Sequence, residues 1–306
     1  MAGVSERKAA DRRHYVVAGV EVAAPPLEPA LYLVATPIGN LSDITLRALQ
    51  VLAGADIVAC EDTRVTRVLL DRYGISRRTA AYHEHNAAEA GPRLLAAIEA
   101  GGSVALASDA GTPLISDPGF RLVERVQDAG LKVMPIPGPS AVLAALTASG
   151  LPTDAFMFGG FLPVKAGQRE SRLQELSGVP ATLVFFESPR RLASSLAAMT
   201  KMLGDRPAAV AREMTKAFEE VRRDGLAALA AHYAEAGAPK GEVVVCIGPP
   251  AEAQPTDAAT VDRLLISLSR EMPAAKAAGE AARMTGEKKS NLYQRLLALK
   301  GEGRGG

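Results

Sequence analysis

Short apolar runs alternate with longer amphipathic stretches between residues 30 and 150. Each run has the length of a strand, ends in turn residues and precedes a helical spacing of apolar positions. This alternation is typical of parallel strands connected by helices. We therefore predict an α/β domain over residues 30–150, with a largely parallel sheet covered by helices. The strands are predicted at Leu31–Ala35, Ala55–Cys60, Ser103–Ala107 and Lys132–Ile136.

A second series of apolar runs begins after Pro152 and predicts another α/β domain over residues 151–250. We expect Phe218–Arg223 to form an antiparallel hairpin with the preceding strand, which makes this sheet mixed rather than parallel. The other strands are predicted at Phe156–Phe161, Ala181–Phe186, Ala208–Ala211 and Glu242–Ile247.

The two ends of the chain have different patterns. Residues 1–29 combine balanced charge with three prolines, which predicts a disordered extension. Residues 251–306 predict a small helical domain, in which two shorter helices, separated near Gly286, follow a first amphipathic helix. The apolar face of that first helix carries Val261, Leu264, Leu265 and Leu268.

Charge is distributed unevenly although the whole chain carries only +1. Residues 254–306 contain nine basic and six acidic side chains, a local charge of +3. Such a basic helical domain is suited to a phosphate backbone, although a solvated helix face explains the same charges. The weak overall charge argues against a global attraction to nucleic acid.

Cysteine content and hydropathy bear on the compartment. Two cysteines provide neither a disulfide framework nor a thiolate zinc site, and they suit a reducing environment. The charged start lacks the apolar core of a signal peptide, and no run approaches 18 apolar residues. We therefore expect a cytoplasmic protein without membrane association.

Three loops that leave predicted strands are rich in small and polar residues. Residues 35–43 include Gly39, although a tight turn capped by Ser42 or Asp43 explains that loop as well. Residues 108–119 include Asp109, which could accept hydrogen bonds from a ribose or an ammonium group. Residues 135–141 end at a predicted helix whose first amides are unobstructed. The dinucleotide-binding pattern Gly-x-Gly-x-x-Gly does not follow the first predicted strand, and the P-loop pattern Gly-x4-Gly-Lys-Ser/Thr is absent from the sequence.

Polar clusters follow several other strands. Residues 60–64 and 83–86 carry acidic, basic and histidine side chains, and residues 185–191 and 211–216 add charged groups in the second domain. His83 and His85 are two positions apart without a third ligand at a recognisable spacing, so we expect no metal site. Helix capping and solvent exposure remain alternative explanations for the first two clusters.

As a set, these motifs resemble the tetrapyrrole methylase superfamily, specifically its branch of small-subunit ribosomal RNA cytidine 2′-O-methyltransferases. The resemblance covers about residues 31–300. It implies a homodimer that binds S-adenosylmethionine between two α/β domains and methylates the 2′-oxygen of a cytidine in 16S rRNA, at the decoding region of the small ribosomal subunit. The chain departs from the family pattern at Ala87, where an acidic residue is usual. The matching segments are residues 35–43, 61–64, 108–119, 137–141, 185–191, 212–216 and 240–242.

The resemblance also implies roles for individual residues. Nine of them are expected to contact the cofactor: Ile38, Gly39, Asp109, Thr112, Ser140, Ala141, Pro239, Gly241 and Glu242.

A ribose hydroxyl needs a proton acceptor as the new bond forms, and nearby cations could hold the flanking phosphates or stabilise the nucleophile. The candidate acceptors are Glu61, Asp62, His85 and Glu213, and the candidate cations are Arg64, Arg190, Arg212 and Lys216. In the helical domain, we expect RNA contacts from Lys288, Lys289 and Arg295.

Two other functions fit parts of the pattern. A tetrapyrrole C-methyltransferase would share the fold and cofactor, but the basic tail and the clusters at 61–64 and 212–216 favour the RNA branch. A non-catalytic ribosome-binding protein that keeps the fold is the other alternative, and the intact loop around Asp109 argues against it.

Overall fold

The computed structural model describes residues 13–116, 119–251 and 258–302. It divides into two compact units, one within residues 1–249 and one within residues 250–306. Within these ranges, the first unit contains two five-stranded sheets and one two-stranded sheet, and the second contains three helices. Among the described residues, no helix combines the length and apolar character needed to cross a bilayer.

Residues 13–29 are ordered, so the prediction of a disordered extension is wrong for this part, whereas residues 1–12 lie outside the described residues. Strands β1 (His14–Val17) and β2 (Val20–Ala23) form an antiparallel hairpin. Both turn residues have positive φ, as a two-residue hairpin turn requires. The alternating apolar positions on both sides of that turn were the signal that the prolines obscured.

The first sheet contains five parallel strands in the order β5-β4-β6-β3-β7. Buried side chains cover both of its faces, as expected for strands connected by helices. The three-residue strand β5 was not among the predicted strands. The strands are β3 (Ala30–Val34), β4 (Ile57–Cys60), β5 (Thr79–Ala81), β6 (Ser103–Ala107) and β7 (Val133–Ile136); the helices are α1 (Leu46–Gly54), α2 (Thr63–Arg72), α3 (Ala87–Glu99), α4 (Phe120–Asp128) and α5 (Ala141–Ser149).

The second sheet has the order β11-β10-β12-β9-β8. Only β8 and β9 pair in parallel, and the predicted antiparallel hairpin of β10 and β11 is confirmed. One face packs against helices of this half of the unit, and the other packs against α5. The strands are β8 (Phe156–Phe161), β9 (Thr182–Glu187), β10 (Pro207–Arg212), β11 (Glu220–Gly225) and β12 (Val243–Ile247); the helices are α6 (Ala166–Leu176), α7 (Leu192–Leu203) and α8 (Leu226–Ala236).

The C-terminal unit contains α9 (Ala258–Glu271), α10 (Ala274–Thr285) and α11 (Lys289–Glu302). The predicted amphipathic face of α9 is confirmed, because Val261 and Leu265 are fully buried against α10 and α11. Gly286 ends α10 in the left-handed conformation. The last helix is as long as the first, rather than shorter as predicted.

The predicted α/β fold class with a C-terminal helical region is confirmed. Each of the nine predicted strands is present, with its ends displaced by at most two residues. The pattern was informative because parallel and central strands are buried on both faces and therefore form continuous apolar runs. At the carboxyl edge of the first sheet, three of those strands end in the glycine- and serine-rich loops.

Candidate functional site

A cavity of about 450 Å³ lies where loops from the first sheet face loops from the second sheet, and we call it the central cavity. Its first-sheet wall comes from the loops that follow β3, β6 and β7, which are neighbouring strands. Its second-sheet wall comes from the ends of β8 and β9 and from the start of β12. This position, outside the carboxyl ends of strands in an α/β sheet, is the usual location of ligand sites.

The structure brings together seven of the nine residues predicted to contact a cofactor. The exceptions are Gly39, which lies beneath Lys216, and Pro239, which lines a different surface depression beside β11 and α8. The seven that line the central cavity are Ile38, Asp109, Thr112, Ser140, Ala141, Gly241 and Glu242.

Hydrogen bonds between the three first-sheet loops hold this wall in place. Thr36 donates its hydroxyl to the carbonyl of Ser108 at 2.8 Å, and its backbone pairs with Gly111. Thr112 donates its hydroxyl to the carbonyl of Pro139 at 3.2 Å. The wall is therefore organised before any ligand arrives, which lowers the entropy cost of binding.

Asp109 connects this wall to the loop after β4. Its Oδ1 accepts a hydrogen bond from the backbone amide of Asp62 at 3.0 Å. Burial raises the pKa of Asp109, the amide of Asp62 opposes that rise, and the negative charge of Asp62 adds to it. A cation placed beside Asp109 would offset the cost of burying its charge.

Glu187 fixes the second-sheet wall at the end of β9. Its side chain is fully buried, accepts hydrogen bonds from the Ser188 amide and the Ser195 hydroxyl, and pairs with Arg191 at 2.6 Å. Arg191 also donates to the carbonyl of Leu162 at 3.1 Å. These bonds satisfy a buried carboxylate and set the position of Ser188, which lines the cavity.

Lys216 joins two loops of the second sheet, and its aliphatic chain packs against Gly39 of the first sheet. Its ammonium contacts Glu213 at 2.7 Å and Glu242 at 3.0 Å. Burial would lower the pKa of Lys216, but its hydrogen bonds to the two carboxylates raise it overall. The same hydrogen bond lowers the pKa of Glu213. Lys216 neutralises one of the two carboxylates, and the ion pair with Glu213 holds the loop after β10 together.

The Lys216–Glu213 pair leaves no room for a side chain at Gly39 or at Gly241. A Cβ on Gly39 would lie 2.3 Å from Cγ of Lys216, and a Cβ on Gly241 would lie 2.2 Å from Cδ of Glu213. Gly241 also has a φ of +94°, which L-residues rarely adopt. These close approaches explain why glycine occupies both positions.

The candidate proton acceptors have different surroundings. Asp62 caps α2 and pairs with Arg64 at 2.6 Å, and these contacts lower the pKa of Asp62 to about 2. Such an acid is a weak proton acceptor near neutral pH. His85 is exposed and its ring contacts that of His83. Glu61 lines a second cavity, at the ends of β4 and β5.

The candidate RNA contacts also separate into two groups. Arg190, Lys288 and Lys289 are exposed. Arg212 pairs with Glu220 at 3.0 Å. Arg295 pairs with Asp262 at 2.6 Å, and that bond joins α11 to α9. Arg212 and Arg295 therefore have structural partners that their sequence positions did not indicate.

Sequence reasoning missed much of the apolar wall. Except for Ile115, which lies in the loop after β6, these side chains follow the ordinary strand and helix patterns, so their apolar character alone did not separate them from the core. For those five, the available signal was their place at a strand end or at the start of α5. They are Ile115, Val142, Phe161, Phe186, Val243 and Val244.

Comparison with known proteins gives the family. A model of the family Tetrapyrrole (Corrin/Porphyrin) Methylases matches residues 30–230, and one described as RsmI C-terminal HTH domain matches residues 255–300. The protein named ribosomal RNA small subunit methyltransferase I of Mesorhizobium japonicum is 69% identical over 295 residues, which cover 95% of this chain and 100% of that protein.

The chain belongs to the ribosomal RNA small subunit methyltransferase I branch of the tetrapyrrole methylase family. A more distant member with the same name, from Pseudomonas aeruginosa, is 48% identical and covers 89% of this chain and 98% of its own length. This membership agrees with the family resemblance seen in the loops.

A solved structure supports the same family fold. The uroporphyrin-III C-methyltransferase from Thermus thermophilus complexed with S-adenosylhomocysteine has a TM-score of 0.50 and 22% identity. The match covers 72% of this chain and 97% of that one. At this identity, the similarity establishes the architecture of the two-sheet unit and not its substrate.

Proposed function

We propose that this protein transfers a methyl group from S-adenosylmethionine to the ribose 2′-oxygen of a cytidine in 16S rRNA, at the decoding region of the small ribosomal subunit. The observation that carries the proposal is the 69% identity, over nearly the whole chain, to a protein named ribosomal RNA small subunit methyltransferase I. The organised central cavity supplies a suitable place for the donor.

The chemistry of the central cavity fits S-adenosylmethionine. Its volume lies in the range of small-molecule sites, and apolar side chains form much of its wall. Among the described residues that line it, there is no lysine, arginine or histidine, whereas Asp109 and Glu242 contribute carboxylates. This wall suits a ligand with a positive charge and an aromatic base better than a polyphosphate.

Different residues of the cavity would then bind different parts of the donor. S-adenosylmethionine supplies an electrophilic methyl group on a positively charged sulfur. Asp109 and Thr112 offer acceptors on the first-sheet side, and the amides at the start of α5 offer donors there. Gly241 and Glu242 lie on the second-sheet side, where apolar side chains also line the cavity.

We assign proton acceptance from the ribose hydroxyl to Glu61. Asp62 and Glu213 each pair with a cation that lowers the pKa of the carboxylate, and His85 follows β5, one strand farther from β6 than Glu61. Glu61 directly follows β4, the neighbour of β6, whose loop carries Asp109. The chain thus places a carboxylate one strand away from the proposed donor site.

Exposed cations would hold the RNA. Arg64 has a side chain that is 89% exposed, and Arg190 follows Pro189 on the cavity wall. The Arg190 guanidinium can bind a phosphate through two parallel hydrogen bonds, and Arg64 can do the same once it exchanges Asp62 for the phosphate. In the C-terminal unit, Lys288 and Lys289 stand at the start of the last helix and provide a second phosphate contact.

We also propose that the protein is a homodimer and acts in the cytoplasm, as the family resemblance implies. Sedimentation equilibrium tests the first statement directly. A mass of one chain at micromolar concentration would contradict it.

Tritium-labelled methyl transfer tests the main proposal. Purified protein is incubated with the labelled donor and small ribosomal subunits from a strain that lacks this enzyme. We expect label in 16S rRNA and none in a parallel reaction with a tetrapyrrole acceptor. Label in the tetrapyrrole alone would instead support the C-methyltransferase alternative, which rests on structures of low identity.

A further inference from the structure

A second cavity of about 600 Å³ lies beside the central cavity, and we call it the side cavity. Ser116 lines both cavities, so they adjoin at the loop after β6. The side cavity is lined by Glu61 after β4, by Tyr82 and Glu84 after β5, and by residues at the start of α4. It therefore occupies the same carboxyl edge of the first sheet.

Strand order arranges these groups in a line. The sheet runs β6, β4, β5 toward its edge, so Asp109, Glu61 and Glu84 follow three successive strands. Neighbouring strands lie about 4.8 Å apart. The hydrogen bond from the Asp62 amide to Asp109 fixes the first two of these loops against each other. Glu84 therefore follows the strand next to that of Glu61, one strand farther from Asp109.

The lining of the side cavity suits a nucleobase. Phe120 is 65% exposed although it is a large aromatic side chain, and it stands at the first position of α4. Unstacked bases are commonly held against such aromatic rings. Glu84 is exposed as well, and a carboxylate is the usual acceptor for the amino group of cytosine.

We propose that the side cavity binds the cytosine base of the target nucleotide, with Phe120 stacking on the ring and Glu84 accepting a hydrogen bond from its 4-amino group. This inference rests on the proposed RNA methylation. It makes Phe120 and Glu84 specificity-determining residues and assigns the side cavity to the acceptor rather than to the donor.

The first test replaces Phe120 with alanine and uses Phe156→Ala as its control, because Phe156 is an exposed phenylalanine on the edge strand β8. Steady-state methylation of small subunits is measured together with calorimetric affinity for S-adenosylmethionine. Loss of base stacking should raise KM for the subunits roughly tenfold, at unchanged donor affinity. Phe120→Trp, which keeps a stacking surface, should retain the wild-type KM.

The second test exchanges the base preference. Glu84→Gln presents an amide that can donate to the 4-oxygen of uracil. The variant should therefore methylate subunits that carry uridine at the target position more efficiently than the wild-type protein does. We expect the ratio of kcat/KM for uridine over cytidine to rise roughly tenfold or more. Glu99→Gln, an exposed glutamate at the end of α3, should leave that ratio unchanged.

The outcomes separate this inference from the proposed function. If wild-type protein methylates RNA while Phe120→Ala and Glu84→Gln match their controls, the base does not occupy the side cavity. If Phe120→Ala also weakens donor binding, a wild-type KM for Phe120→Trp together with a raised uridine ratio for Glu84→Gln would still support base binding in the side cavity. Failure of both results would contradict it. Failure of the wild-type protein to methylate RNA would remove the proposed function itself.

Discussion

At the scale of single residues, the site depends on contacts between loops that are distant in sequence. Lys216 contacts Glu213 and Glu242, and its aliphatic chain covers Gly39. The sequence offered Gly39 as a ligand contact, because a glycine after a strand often lets a ligand approach the backbone. The structure gives this glycine a different partner, which only the packing of the two sheets determines.

Gly39→Ala should reduce stability because its new methyl group overlaps Lys216. The overlap is with Cγ, near the backbone, so the lysine cannot simply swing away. We expect a loss of about 1–3 kcal/mol in the free energy of unfolding, as for other overpacked sites. In a Lys216→Ala background the same change should cost less, and urea unfolding of all four proteins measures that coupling. Equal costs in both backgrounds would show that the two residues do not interfere.

Asp109→Asn tests the charge that faces the proposed donor. The amide can still accept the hydrogen bond from Asp62, but it no longer balances a cation. The affinity for S-adenosylmethionine should fall about tenfold or more, the scale of losing a charged hydrogen bond. Calorimetry provides the measurement, with Asp154→Asn, an exposed aspartate, as control. Similar affinities for the two variants would exclude a charge-based role for Asp109.

At the scale of elements, the N-terminal hairpin is part of the first unit rather than an appendage. Tyr15 is buried in the main core, and the Val16 amide donates to the carbonyl of Tyr73. Arg13 pairs with Asp56, which also accepts hydrogen bonds from Ser103. The strands of both sheets were predictable from their apolar runs, but this hairpin is half polar and its signal was weaker than that of the prolines after it.

Asp56→Asn should destabilise the fold in a pH-dependent way. Burial raises the pKa of Asp56, but hydrogen bonds from Ser103 and the Arg13 guanidinium lower it overall, below its ordinary value of 3.8. The ionised carboxylate therefore stabilises the fold fully above about pH 5, and this contribution disappears as the pH falls below about 4. We expect the variant to lose about 1 kcal/mol at pH 7, since Asp56 is partly exposed. Thermal unfolding of both proteins between pH 3 and pH 7 checks whether the difference narrows in acid; a constant difference would contradict the prediction.

At the scale of the whole molecule, two units carry different parts of the proposed function. The two-sheet unit holds both cavities, and the C-terminal unit concentrates positive charge. The sequence predicted that charge, but it did not show which cations are used for packing and which are exposed. Arg295 joins two helices through Asp262, whereas Lys288 and Lys289 are exposed. The side cavity could not be predicted either. The sequence does not give the strand order β6-β4-β5, which brings its lining residues together.

Reversing Lys288 and Lys289 to glutamate should weaken binding to small subunits and leave donor affinity unchanged. Each lysine that leaves a phosphate should reduce the slope of log affinity against log salt by about 1. Filter binding at several salt concentrations measures both quantities. Lys165→Glu, a reversal on the two-sheet unit, should change them less, and an unaltered slope in the double variant would remove the C-terminal unit from RNA binding.

The proposed reaction is defined by the atom that receives the methyl group. Small subunits from a strain that lacks the enzyme are treated with the purified protein and S-adenosylmethionine, and their 16S rRNA is digested to nucleosides for mass spectrometry. We predict one new methyl group, carried on the ribose of a cytidine at its 2′-oxygen. A methyl group on a base, or none in RNA at all, would contradict it.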